Sequence, residues 1–147
     1  MAEIINTCSE AISLAKKLEN QSSEFYKNLA ETVAEDKDVF LSFVEENGKF
    51  VTQIERAYYG VITDAFEGCF AFNINPDDYE LNIELTSEMD AAQALKRALE
   101  VEEKIVDFYN DAAEQSKSLM ADVPRTFKLV AKKRNNRQAK LRSLLNK

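Results

Sequence analysis

The sequence predicts an all-α fold, a bundle of four long helices, and three observations carry that prediction. The 147 residues include only three Gly and two Pro, so little punctuates the chain and long uninterrupted helices are favoured over many short strands. Apolar residues recur at alternating steps of three and four along four separate stretches, the spacing of helices that each bury one stripe. The first half of the chain also repeats, weakly but in frame, in the second half. The length fits a single domain, 1–147, able to bury a substantial core.

The first helix is expected over roughly 8–34, with the seam Ile12, Ala15, Glu19, Ser22, Tyr26, Leu29 and Val33. The charged stretch from Asp36 to Asp38 marks a break. The second helix follows over 38–62, with Phe40, Phe43, Asn47, Phe50, Ile54, Ala57 and Val61 inward. The third is expected over 87–118, capped by Thr86 or Ser87, with Glu88 and Asp90 in its first turn where acids favour the helix dipole. Its seam is Leu95, Ala98, Glu102, Ile105, Tyr109, Ala112 and Ser116. The fourth, 124–145, opens on Pro124, whose missing N–H costs little in a first turn, and turns Phe127, Val130, Arg134, Arg137, Leu141 and Leu144 inward. Between the second and third helices the less periodic stretch 63–86 contains Gly68, Asn75-Pro76 and the alternation Tyr79, Leu81, Ile83, Leu85. It is long enough to run the length of a bundle, partly extended on its surface, so that the second and third helices point the same way.

A shift of 83 positions lays Ala15, Glu19, Phe25, Tyr26, Ala30 and Glu31 onto Ala98, Glu102, Phe108, Tyr109, Ala113 and Glu114. A shift of 87 lays Phe40, Val44 and Ile54 onto Phe127, Ala131 and Leu141. The chain therefore reads as two related helical hairpins joined by a long crossover.

The repeated Glu-x6-Tyr-x3-Ala pattern, Glu19-Tyr26-Ala30 and Glu102-Tyr109-Ala113, together with this layout, resembles the rubrerythrin branch of the ferritin-like proteins over roughly residues 8 to 145. The resemblance implies a ferritin-like four-helix bundle, a homodimer, and two metal ions held for oxidase, peroxidase or iron-handling chemistry. In that family one Glu from each of helices one and three joins an ExxH motif from each of helices two and four. Here the helix-four segment reads Val130-Ala131-Lys132-Lys133-Arg134-Asn135-Asn136-Arg137, so Arg134 and Arg137 stand where Glu and His would be. In helix two the seam puts Asn47 and Phe50 at the ligand positions; a register shifted by one would offer Glu46 and Lys49. The imidazole is missing in both registers.

Glu19 and Glu102 occupy mid-seam positions where a hydrophobe is expected, and the same placement occurs twice in the repeat, so both are expected to face inward. Two facing carboxylates in a bundle interior must be neutralised by protons, metals or bases. Arg134 and Arg137 lie in the helix-four seam at matching depth, and a guanidinium is always charged and forks onto carboxylates. The expectation is an internal charge cluster of Glu19, Glu102, Arg134 and Arg137, flanked by Asn47 and Phe50, that replaces the metal site and needs no cofactor. Tyr26 and Tyr109, two turns from the glutamates, are expected as core tyrosines with satisfied hydroxyls.

Composition narrows the function. With no His, Ser-His and Cys-His triads and HExxH zinc sites are excluded. Cys8 and Cys69 form no CxxC pair and cannot build a four-thiolate centre. Two isolated thiols, no signal-like start and no long apolar run point to a cytoplasmic protein without a membrane span. Nine Lys/Arg and no acid follow from Arg125, so the net charge of −7 divides into −16 before it and +9 after. Packing of this basic helix against acidic neighbours is the simpler reading. The leading functional expectation is a non-catalytic ferritin-like domain with a structural or interaction role. The alternatives are a di-iron oxidoreductase or peroxidase using Glu19, Glu102 and Glu45 or Glu46, and a polyanion or nucleic-acid module using Lys128, Lys132, Lys133, Lys140 and Arg142.

Overall fold

The computed structural model describes residues 3–62, 71–118 and 122–147, and the fold is all-helical. Helix α1 spans Cys8–Thr32, α2 Lys37–Ile62, α3 Ala91–Gln115 and α4 Asp122–Leu145. Every seam residue named above whose side chain is described is buried, from Ile12 in α1 to Leu144 in α4. The polar seam positions Glu19, Ser22, Asn47, Glu102, Ser116, Arg134 and Arg137 are buried with them. One continuous core results, fed by all four helices. No helix among the described residues is long and apolar enough to cross a membrane.

Contacts between helices fix their directions. Lys16 meets Glu55 and Ser22 meets Asn47, so α1 and α2 are antiparallel. Glu19 meets Tyr109 and Tyr26 meets Glu102, which makes α1 and α3 antiparallel as well. Glu102 meets Arg134 and Phe108 meets Phe127, so α4 runs against α3. Helices α2 and α3 therefore run the same way, and the chain between them must travel the bundle's length.

The described part of that crossover does so along α3. Asn73 pairs with Gln115 at 2.7 Å, Tyr79 donates to Asp111, and the Glu84 carbonyl accepts from Arg97 at 2.8 Å. From Arg97 to Gln115 the helix is about 27 Å long, a distance that Asn73 to Glu84 cover with one short 3-10 turn at Pro76–Tyr79 and extended chain beyond it. Tyr79 at the end of that turn, and Leu81, Ile83 and Leu85 in the extended part, turn toward the core while Glu80, Asn82 and Glu84 face water. Upstream, Ile5 and Ile74 form an antiparallel bridge that ties the segment before α1 to the crossover. Gly68, Cys69, Phe66 and Phe70 lie outside the described residues.

The helix boundaries depart from expectation in three places. The first break comes at Val33, before the Asp36–Asp38 stretch, and continues as a 3-10 turn over Ala34–Asp36, so that Lys37 already opens α2. Helix α3 starts later than residue 87 and ends at Gln115, before residue 118. Its cap is Asp90 rather than Thr86 or Ser87: the Asp90 carboxylate accepts from the Gln93 N–H at 2.8 Å and the Gln93 side chain accepts from the Asp90 N–H at 3.0 Å. This reciprocal box satisfies two backbone donors at once, while Thr86 to Met89 closes a turn of its own. Helix α4 begins two residues before Pro124, which therefore sits inside the first turn.

Candidate functional site

Four helices each contribute to one polar cluster at mid-height. On α1, Glu19, Ser22 and Tyr26 follow three-four spacing and share a face; on α3, Glu102 and Tyr109 do the same two turns apart. Helix α2 supplies Asn47 between Phe43 and Phe50, and α4 supplies Arg134 and Arg137 one turn apart. Glu19, Glu102 and Arg134 are each at most 1% exposed.

Arg134 lies between the two carboxylates. Its Nε donates to Glu19 Oε2 at 3.2 Å and its Nη2 to Glu19 Oε1. Its Nη1 donates to both oxygens of Glu102, at 2.6 and 2.8 Å. The second Nη2 hydrogen reaches Asn47 Oδ1 at 3.1 Å. A guanidinium carries five N–H donors, and these five contacts give each an acceptor, with Ser22 Oγ a sixth and longer contact of Nη2 at 3.5 Å. Two tyrosines complete the carboxylates. Tyr26 donates to Glu102 Oε2 and Tyr109 to Glu19 Oε2, both at 2.6 Å. All four carboxylate oxygens thus accept hydrogen bonds from protein groups, each from more than one donor or from a charged one at under 3 Å.

Arg137 is the second cation. Its Nη1 donates to Asn47 Oδ1 at 2.9 Å and, at 3.5 Å, to Glu102. Its Nη2 pairs with Glu46 at 2.7 Å. The guanidinium stacks 4.6 Å from the Phe43 ring centre and about as far from Tyr26 and Phe50 as cation–π contacts reach, 5.5 and 5.6 Å. Asn47 links the two arginines: its oxygen accepts from both, and its nitrogen donates to Ser22 and Ser23 at 3.1 Å each. A glutamate there would add a third inner negative charge; the amide accepts without adding one. Phe50 takes no part in hydrogen bonding and serves as a ring face for both arginines.

The electrostatics follow from this geometry. Burial alone would raise the Glu102 carboxyl, but the charges of Arg134 and then Arg137, with bonds from Tyr26 and Arg134, outweigh it and hold Glu102 below its ordinary 4.5. Burial likewise opposes the Arg134 charge, and Glu102 and Glu19 overcome it, so the guanidinium is held protonated. Burial, then the negative Glu102, push the Tyr26 phenol well above 10; burial and Glu19 do the same to Tyr109. Glu102 and Arg134 are thus held charged and the two phenols neutral, so none of the four is set to exchange a proton near pH 7.

The cluster gathers Glu19, Glu102, Arg134, Arg137, Asn47 and Phe50. It places Glu46 differently: that carboxylate lies on the solvent side of Arg137, 37% exposed, with the guanidinium between it and the inner pair. Glu45 and Lys49 face solvent, as do Lys128, Lys132, Lys140 and Arg142 on the outer side of α4, while Lys133 is half-buried. Among the described residues no three His, Cys, Asp or Glu side chains converge as metal donors. Two features were not legible beforehand. One is the crossing of each tyrosine to the other helix's glutamate; the other is the pairing of Glu46 with Arg137.

Comparison with protein-family models, with curated proteins and with solved structures finds no match for this chain.

Proposed function

We propose that this chain is a ferritin-like four-helix bundle of the rubrerythrin type in which a Glu–Arg cluster has taken the place of the two-metal site, leaving a non-catalytic domain with a structural or interaction role. One observation carries the reading: Arg134 fills the space between Glu19 and Glu102 and uses every donor it has there. The antiparallel α1–α3 pair, the parallel α2 and α3 and the long crossover support the ferritin-like part of it.

The residues present do not fit a pair of divalent ions. Such a site requires several free oxygen or nitrogen ligands around each metal. Here the inner donors are two carboxylates already bonded on all four oxygens, and two fixed guanidinium charges would oppose a further cation. Glu19, Glu102, Arg134 and Arg137 sum to zero charge, the balance that metal ions would otherwise supply.

Anaerobic Fe²⁺ titration of the purified protein, read by metal analysis after desalting, tests this. The proposal expects no retained stoichiometric iron. Retention of about two irons per chain, lost in Glu19→Ala, would reject it in favour of an oxidoreductase.

A further inference from the structure

Between α2 and α4, directly outside the cluster, lies a groove of about 400 Å³ walled by Phe43, Glu46, Lys49, Phe50, Gln53 and Lys133. That is within the ~300–1,000 Å³ of small-molecule sites. Three of these residues also enclose Arg137. Phe43 and Phe50 lie against its guanidinium, and Glu46 holds its outer nitrogen at 2.7 Å. Glu46 is thus the stopper between the groove and a buried cation.

This stopper differs from the rest of the cluster in two ways. It is the one acid of the group with substantial exposure, 37%, against 1% or less for Glu19 and Glu102. It is also surplus to the inner charge balance, because Glu19, Glu102, Arg134 and Arg137 already cancel. Rotating Glu46 into water therefore leaves the four inner charges balanced but strips Arg137 of its closest anionic partner. Two buried polar atoms beside this wall, Arg137 Nε and Gln53 Oε1, have no hydrogen-bond partner among the described residues, and buried polar groups rarely stay so. At the rim, Lys49 and Lys133 bring positive charge, with Glu45 also present; Phe43 offers the apolar surface, with Phe50 fully buried behind it.

We propose that this groove binds a small carboxylate with an apolar body, whose anionic end replaces Glu46 on Arg137. The carboxylate suits the guanidinium that Glu46 now occupies, the two lysines favour an anion's approach, and the Phe43 ring contacts the apolar part. Glu46 acts as a built-in competitor, so the intact protein binds such a ligand weakly. Apparent affinity falls by the fraction of time the site is covered. This inference rests on the Glu46–Arg137 pair and not on the absence of iron from the inner cluster, so the iron titration and the following experiment fail independently.

Benzoate is the probe, with benzyl alcohol as its uncharged counterpart, followed by calorimetry and protein NMR at constant ionic strength. Glu46→Ala is expected to bind benzoate saturably and at least about tenfold more tightly than the intact protein, with little response to benzyl alcohol. Lys133→Ala added to Glu46→Ala should weaken binding. Where Glu46→Ala fails to fold, Glu46→Gln keeps the side chain's volume, removes the competing charge and should show the same gain. Equal affinity with and without Glu46, or equal response to benzoate and benzyl alcohol, overturns the proposal.

Discussion

Tyr26 of α1 donates to Glu102 of α3 at 2.6 Å, and the equivalent pair in the repeat, Tyr109 of α3 and Glu19 of α1, is joined at the same distance. Each helix keeps its tyrosine about two turns from its own glutamate, roughly 10 Å away, too far for a direct bond. Because α1 and α3 are antiparallel, each hydroxyl falls beside the other helix's carboxylate. The shift of 83 positions in sequence thus becomes an approximate two-fold relation in space.

That relation makes a matched prediction. Tyr26→Phe and Tyr109→Phe each remove one hydrogen bond to a buried charge and should each destabilise the protein by about 1.5–3 kcal/mol. Urea unfolding of the two variants checks it. Similar losses are expected; a large loss in one and none in the other would show that only one carboxylate depends on its phenol.

Acid should weaken the fold through Glu102. Its carboxyl titrates lower in the folded protein than its ordinary 4.5, so its contribution is fully present above that value and is lost as pH falls through the lower folded value. Stability measured in urea from pH 7 to pH 3 should therefore drop below about pH 4.5. The Glu102→Gln protein should be less stable at pH 7 and should show a shallower drop. An unchanged slope in that variant would remove Glu102 from the account.

The start of α3 offers a local test. Asp90→Ala should cost about 1 kcal/mol through loss of the cap, with the Asp90–Gln93 box broken. Thr86→Ala and Ser87→Ala should stay within about 0.5 kcal/mol. Thermal unfolding of the three variants gives the comparison, and equal losses would place the helix start upstream of Ala91.

The core was legible because side-chain spacing in a long helix has one interpretation once the seam is found. Asn47 and Phe50, not Glu46 and Lys49, continue the α2 seam, and the former pair is buried. Ends were harder to read. Thr86, Ser87 and Asp90 are all good caps by type, and only the reply from Gln93 singles out Asp90. Within the cluster, spacing shows which residues face inward but not which neighbour they meet. The Tyr–Glu crossing depends on helix direction, and the Glu46–Arg137 pair depends on a long side chain reaching back across the α2–α4 boundary.

Whether the inner charges cancel one another is decided by urea unfolding of a protein that lacks the Arg134 guanidinium. Arg134→Met should cost roughly 3–5 kcal/mol, because Glu19 and Glu102 are left buried with too little compensation. Replacing Glu19, Glu102, Arg134 and Arg137 together with Met should recover most of that loss, since no buried charge is then unpaired. An Arg134→Met protein as stable as the unaltered chain would contradict the account.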